Sequence, residues 1–203
     1  MYLNCHTYYS LRYGTFSEVA LLELARENQV TQLALTDINN TSAGLNFVRK
    51  ATEYNIKPIL GIDFRNGADQ CFVGIAKSNE GYQELNAFLS AHLHNEKEIP
   101  QRAPKFKHAF IIYPFEKVLL NDQTDFREQE FIGISIRDLR RLPFSSLVEK
   151  KDKLVVLQPV TFRNKRDFNA HRLLRAIDKN VLLSKLPKEE EAGEDEKMFP
   201  IQN

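Results

Sequence analysis

Two short apolar runs, each ending on an aspartate, constrain this chain more than any other feature. Leu33-Ala34-Leu35-Thr36 runs into Asp37, and Ile59-Leu60-Gly61-Ile62 runs into Asp63. Apolar runs this short, bounded by polar turns, read as strands buried on both faces. Around them lie longer stretches with apolar positions at helical spacing. Val19, Leu22 and Ala25, widened by Leu21 and Leu24, follow Thr15-Phe16-Ser17-Glu18, which reads as a capping box. Asn40-Thr41-Ser42 offers caps for a second helix through Tyr54. Lys77-Ser78-Asn79-Glu80 opens a third, with Tyr82, Leu85, Phe88 and Leu89 as its stripe, and Phe168, Leu173, Leu174 and Ile177 mark a last one over residues 167–178. Further strands are expected at residues 2–5, 71–76, 109–113, 131–134 and 154–157. Strands alternating with helices predict parallel βαβ units. Seven strands, with no glycine-rich phosphate loop after the first, favour a barrel-like α/β fold over a dinucleotide-binding sheet.

Composition narrows the function classes. The 203 residues are 42% hydrophobic, enough for one domain with a core. Lysine and arginine number 28 against 27 acidic residues, a formal net charge of +1, so no overall basic field exists to hold nucleic acid. Local clusters at Arg137, Arg140 and Arg141, and at Arg163, Lys165, Arg166, Arg172 and Arg175, read as solvated faces, and no DNA-binding residue is assigned from them. Two cysteines build no disulfide framework. The opening Met1-Tyr2-Leu3-Asn4 lacks the basic region and apolar run of a secretion signal, and no stretch approaches the ~20 apolar residues of a membrane span. A reduced, cytoplasmic protein with no membrane partner is expected. The charged, glycine-containing stretch over residues 187–197 reads as linker.

In β/α barrels, function sits at the C-terminal ends of the strands. Those ends direct attention to residues 4–7, 37–39, 63, 76–78, 113 and 158–161. They supply His6, Asp37 and Asp63, with Cys71 at the start of its own strand. This is a thin set for a hydrolytic metal centre, which needs several converging ligands. A strand-end aspartate is commonly a cap or turn former instead. Cys5 and His6 are strand neighbours, so their side chains point to opposite faces and make no nucleophile–base pair. No GxSxG elbow, HExxH pair or Walker A loop is present.

Four blocks carry a resemblance. They are Asn4-Cys5-His6-Thr7-Tyr8-Tyr9-Ser10-Leu11-Arg12-Tyr13-Gly14, then Leu33-Ala34-Leu35-Thr36-Asp37-Ile38-Asn39-Asn40, then Ile56-Lys57-Pro58-Ile59-Leu60-Gly61-Ile62-Asp63-Phe64, and Val73-Gly74-Ile75-Ala76-Lys77-Ser78-Asn79-Glu80-Gly81-Tyr82. In order and spacing they resemble the polymerase and histidinol phosphatase (PHP) domain that opens bacterial DNA polymerase III alpha chains. Residues 154–176 resemble the family's last strand and helix, while residues 99–153 match weakly. The resemblance implies a distorted seven-stranded, TIM-like β/α barrel over residues 1–182. It implies that residues 183–203 are a linker toward a polymerase core that lies outside this chain.

The resemblance also implies a metal site from which this chain departs. Active family members bind two or three metals and hydrolyse phosphoesters. The opening motif usually has two histidines separated by one residue; here Asn4 stands at the first and His6 at the second. Tyr13 replaces an acidic residue, and Ile38 replaces the histidine of a Thr-Asp-His motif whose aspartate is Asp37. Asp63 stands where a glutamate is usual. A further histidine falls at Cys71, and a late Asp-x-His pair falls at Pro159 and Thr161. Ile38 has no donor atom, Pro159 has no side-chain donor, and Asn4 and Thr161 are neutral oxygen donors poorly suited to zinc or manganese. The vestigial site is thus Asn4, His6, Tyr13, Asp37, Ile38, Asp63, Cys71, Pro159 and Thr161. No catalytic residue is expected, and His6, Asp63 and Cys71 are the only weak metal candidates.

The implied function is a catalytically degenerate scaffold within a DNA-directed DNA polymerase, a nucleotidyltransferase of DNA replication. The expected partners are the polymerase core of its own chain, a separate proofreading exonuclease, and DNA through the full-length polymerase. No cofactor is expected in this fragment, with magnesium assigned to the polymerase core. The competing reading is an active metal-dependent phosphoesterase or 3'-5' proofreading nuclease.

Overall fold

The structure is a computed structural model and describes residues 1–121, 123 and 125–198. Among the described residues, eight strands form one sheet: β1 (Tyr2–Cys5), β2 (Gln32–Leu35), β3 (Lys57–Asn66), β4 (Asp69–Ala76), β5 (Ala109–Pro114), β6 (Glu130–Ile134), β7 (Leu154–Val156) and β8 (Pro159–Val160). Five α-helices accompany them: α1 (Glu18–Glu27), α2 (Gly44–Ala51), α3 (Asn79–His94), α4 (Phe115–Leu120) and α5 (Lys165–Asp178). The strand order is β7-β6-β5-β4-β3-β2-β1-β8. The two outer strands are consecutive in the chain, separated by Leu157 and Gln158 alone. The segment therefore pairs with β6 through its first half and with β1 through its second, so the sheet curls back on itself.

The α/β class agrees with the sequence, but the connectivity differs from an all-parallel one. β3 runs past Asp63 to Asn66 and returns as β4 through Gly67 and Ala68, making an antiparallel hairpin. Gly67 has φ +62, a conformation that costs glycine nothing and other residues strain. β4 also pairs antiparallel with β5, while the remaining pairs are parallel. This reversal turns β4 around. Its first residues, not residues 76–78, lie at the end of the sheet where Asp63 sits.

Helix starts follow side-chain capping. Ser17, not Thr15, caps α1 by accepting from the Ala20 amide at 3.1 Å, while the Thr15 hydroxyl donates to the Thr161 carbonyl at 3.3 Å. α2 is shorter than its pattern suggested: it starts at Gly44 without a side-chain cap, and residues 52–54 tighten into a 3-10 turn. Asn164 caps α5 by accepting from the amides of Arg166 and Asp167.

The sheet divides the apolar core. Cys5, Leu33, Leu35 and Val160 pack outward against Leu21, Leu22 and Phe47 of α1 and α2. Phe64, Phe72 and Tyr113 pack against Leu85 and Leu89 of α3. Ala34, Val73, Ile75, Ile112 and Leu157 meet on the concave side. Each fully buried side chain of this class contributes roughly 1.5–3 kcal/mol. Among the described residues, no helix is long and apolar enough to cross a membrane. Residues 183–198 lie against α5 and the curled sheet. Arg172 pairs with Glu191, Arg175 with Glu190, and Met198 is buried beside α1. The last five residues of the expected linker, 199–203, fall outside the described residues.

Candidate functional site

At the polar end of the sheet, His6 follows β1 and Asp63 sits inside β3, both fully buried. His6 Nε2 lies 2.9 Å from Asp63 Oδ2, and His6 Nδ1 lies 2.9 Å from Thr161 Oγ1. The Thr161 hydroxyl in turn donates to Glu196 Oε2 at 2.6 Å. Asp63 Oδ2 also accepts from Arg65 Nε at 3.1 Å and Nη2 at 2.7 Å, and from Gln70 Nε2 at 2.8 Å. Its other oxygen, Oδ1, is buried without a hydrogen-bond partner. Arg65 is itself buried, with its guanidinium 4.9 Å from the centre of the Tyr13 ring.

These contacts set the charge state of the carboxylate. Burial pushes the Asp63 pKa up, but the Arg65 charge and then the His6 hydrogen bond outweigh it. The carboxyl is held well below its ordinary range, so the group stays ionised. Arg65, for its part, is held firmly protonated: burial opposes its charge, and the Asp63 carboxylate outweighs burial.

Asp37 is built differently. It accepts from the Thr7 amide at 2.6 Å, the Thr7 hydroxyl at 2.8 Å and the Ser10 hydroxyl at 2.7 Å. All three donors are neutral and come from the loop after β1. That loop is drawn tight at Gly14, where a side chain would collide with the Thr7 carbonyl. Burial dominates and raises the Asp37 pKa above its ordinary value, against those hydrogen bonds.

The other expected positions fall into two groups. Tyr13 and Ile38 line the site. The Tyr13 ring stands edge-on to His6 at 5.6 Å, and Ile38 bridges to Asp63 in the sheet and packs in a cluster with Tyr13 and Phe162. Asn4 is buried in β1, where Oδ1 accepts from the Thr36 hydroxyl at 2.9 Å, and it pairs in register with Pro159 of β8. Cys71 points away. It joins the core under α3, where burial pushes its thiol up to about 11. Its neighbour Gln70 takes the inward place beside Asp63, because the β3–β4 register shifts here: Phe64 pairs with Phe72 but Arg65 with Gln70, so Cys71 is the extra residue of a bulge and the alternation of faces is broken. Tyr113 also faces the outer core, with its hydroxyl donating to Glu130 Oε1 at 3.0 Å.

Arg65, Gln70, Glu196 and His171 belong to the site and escaped the sequence reading. Arg65 stands two residues after Asp63 on one strand, so the two-residue strand period puts both on the same face. That signal was available. No local signal marks Glu196, which reaches Thr161 across 35 residues. Among the described residues, no three histidine, cysteine, aspartate or glutamate side chains are gathered to hold a metal ion.

Comparison with known proteins finds relatives of the chain. A family model described as the PHP domain matches residues 3–124. The DNA polymerase III subunit alpha of Ureaplasma parvum is 36% identical over 83 residues, 41% of this chain and 8% of that protein. The subunit of Halalkalibacterium halodurans is 24% identical over 220 aligned positions, covering 94% of this chain and 20% of the relative. That of Staphylococcus aureus is 27% identical over 197 positions, covering 95% and 18%. The chain thus spans a fifth or less of the length of these relatives.

Proposed function

This chain belongs to the PHP domain family, and we propose that it serves as a catalytically degenerate PHP domain of a DNA polymerase III alpha chain. Its work in this reading is structural: it stabilises the polymerase core of its own chain and docks a proofreading exonuclease. Residues 183–203 are read as the bridge toward that core. Counting β7 and β8 as one bent strand fits the distorted seven-stranded barrel of the family.

One observation carries the non-catalytic reading: the buried Asp63 carboxylate is already neutralised by the Arg65 guanidinium at 2.7 Å. A metal centre at this place would need that carboxylate, the His6 imidazole and further donors. Both ring nitrogens of His6 are taken by Asp63 and Thr161. Ile38 brings no donor atom, Pro159 brings no side-chain donor, and Cys71 lies on the far side of the hairpin. Two like unit charges ~4 Å apart repel by about 4 kcal/mol at an effective dielectric of 20, and more for a divalent ion. The residues present therefore fit a metal poorly, and no hydrolytic step is derived through one.

The competing reading, an active phosphoesterase or 3'-5' nuclease, draws on the unpartnered Asp63 Oδ1, a buried acceptor that a cation could take. The deciding experiment uses the full-length polymerase. His6→Ala with Asp63→Ala is compared with deletion of residues 1–182, scoring thermal stability, primer extension and mismatch excision. The scaffold reading expects excision only when exonuclease is added, equal for the wild type and the double variant wherever it folds, and loss of stability on deletion. A double variant that folds and extends normally but no longer excises mismatches, with no exonuclease added, would favour the nuclease.

A further inference from the structure

We infer that the mouth of the site is a socket for the chain's own acidic segment, Glu190 to Met198, and that Tyr13, Ile38 and Thr161 are the residues that make it one. The inference rests on the non-catalytic reading in one respect: a mouth filled by this segment admits no phosphoester.

The socket has a polar wall and an apolar one. On the polar wall, Thr161 and Phe162 hold Glu196 by three hydrogen bonds, with Thr161 supplying two. The Thr161 hydroxyl donates to Glu196 Oε2 at 2.6 Å, the Thr161 amide donates to the Glu196 carbonyl at 2.9 Å, and the Phe162 amide donates to the same carbonyl at 3.1 Å. Phe162 and Lys197 continue as a parallel bridge. Glu196 Oε1 accepts from the Gly193 amide at 3.0 Å, which closes the segment into a tight turn over the mouth. On the apolar wall, Ala192 is buried in a cluster with Tyr13 and Phe162, with Ile38 and Phe168 packed against it.

His171 joins the two walls. Its Nε2 accepts from the Ala192 amide at 2.9 Å, so Nδ1 carries the proton and donates to the Tyr13 carbonyl at 2.7 Å. Both bonds need a neutral ring, and burial lowers the His171 pKa. Around this centre Gln158 donates to the Asp195 carbonyl at 2.8 Å, and Arg137 pairs with Asp195.

The fit is specific in chemistry. The socket takes a carboxylate three residues after a glycine that follows a small apolar residue, which is what Ala192-Gly193-Glu194-Asp195-Glu196 supplies. Three positions where the family resemblance expects metal ligands thus hold a peptide here. The scaffold role gains a concrete object: the segment through Met198 is fixed against the domain, by Thr161 and Phe162 at one point and by burial of Met198 beside α1 at another.

Hydrogen exchange read by mass spectrometry on the intact chain tests this. The variants are Thr161→Val, which keeps the volume and removes the hydroxyl, and Glu196→Ala, which alters only the segment. Leu139→Ala, on an exposed side chain, is the control. Loss of a charge-assisted hydrogen bond in each variant should speed exchange at the Ala192, Gly193 and Phe162 amides roughly tenfold or more, with α1 and α3 unchanged. Cleavage by a glutamate-specific protease after Glu191 or Glu194 should rise in parallel. Equal protection of the segment in the wild type and both variants would overturn the socket, as would a segment unprotected in the wild type. Stoichiometric metal in a wild type with a protected segment would overturn the non-catalytic reading and leave the socket standing.

Discussion

Asp37 and Asp63 are buried aspartates on neighbouring strands, joined by a hydrogen bond from the Asp63 amide to the Asp37 carbonyl, and they are held in opposite ways. Asp63 faces a guanidinium and an imidazole, and its pKa is driven down against burial. Asp37 accepts from an amide and two hydroxyls, and burial drives its pKa up against these bonds and the nearby His6. The contrast teaches which aspartate the fold depends on as an ion. Asp63 is half of a buried charge pair, where removing either partner strands the other. Asp37 organises the loop after β1 through acceptor geometry, and its charge is a burden that the loop tolerates.

The hardest blow to this contrast is Arg65→Ala. It leaves the Asp63 carboxylate buried without its cation and should cost about 3–5 kcal/mol of unfolding free energy, measured by urea denaturation. Second is the cycle that adds Asp63→Asn to Arg65→Ala. With no charge left to compensate, the double variant should lose less than the two single losses added together, by about 1–3 kcal/mol of coupling. Strict additivity would mean the pair does not act as one unit.

A smaller effect is expected at Asp37. In Asp37→Asn the remaining oxygen still accepts from the Thr7 amide and the Ser10 hydroxyl, both now on Oδ1, while the new amide can donate to the Thr7 hydroxyl. The change should stay within about 1 kcal/mol, and a loss near that of Arg65→Ala would end the comparison. The smallest effect is one of pH. Asp37 binds its proton more tightly folded than unfolded, so between its raised pKa and the ordinary 3.8 it should add stability as pH falls. Asp63 has the opposite sign: its contribution is complete above 3.8 and is lost as pH falls through its depressed folded pKa. Asp37→Asn should therefore remove a shallow gain just above pH 3.8 and leave the steeper acid loss below it, seen as melting temperature against pH.

Much of this was legible in the sequence, and what was missed shares a cause. Runs ending at Asp37 and Asp63 gave two of the site's strands, and residues 2–5 gave a third, because short apolar runs between polar turns mark buried strands. Cys71 was placed in the site by the family resemblance, at the position of a further histidine; a bulge in the β3–β4 pairing, with Phe64 opposite Phe72 and Arg65 opposite Gln70, turns Cys71 to the outer core and presents Gln70 instead. Arg65 could have been found from the strand period. Glu196 could not, since a charged, glycine-containing stretch carries no periodicity, and its docking depends on a threonine 35 residues away.

The central claim is that an arginine, rather than a metal, balances the Asp63 carboxylate. Elemental analysis of the purified protein at neutral pH, without added chelator, tests it most directly. The account predicts less than one divalent metal per chain and a melting temperature that EDTA does not move. Two or more stoichiometric metals, with melting lowered by EDTA, would contradict it.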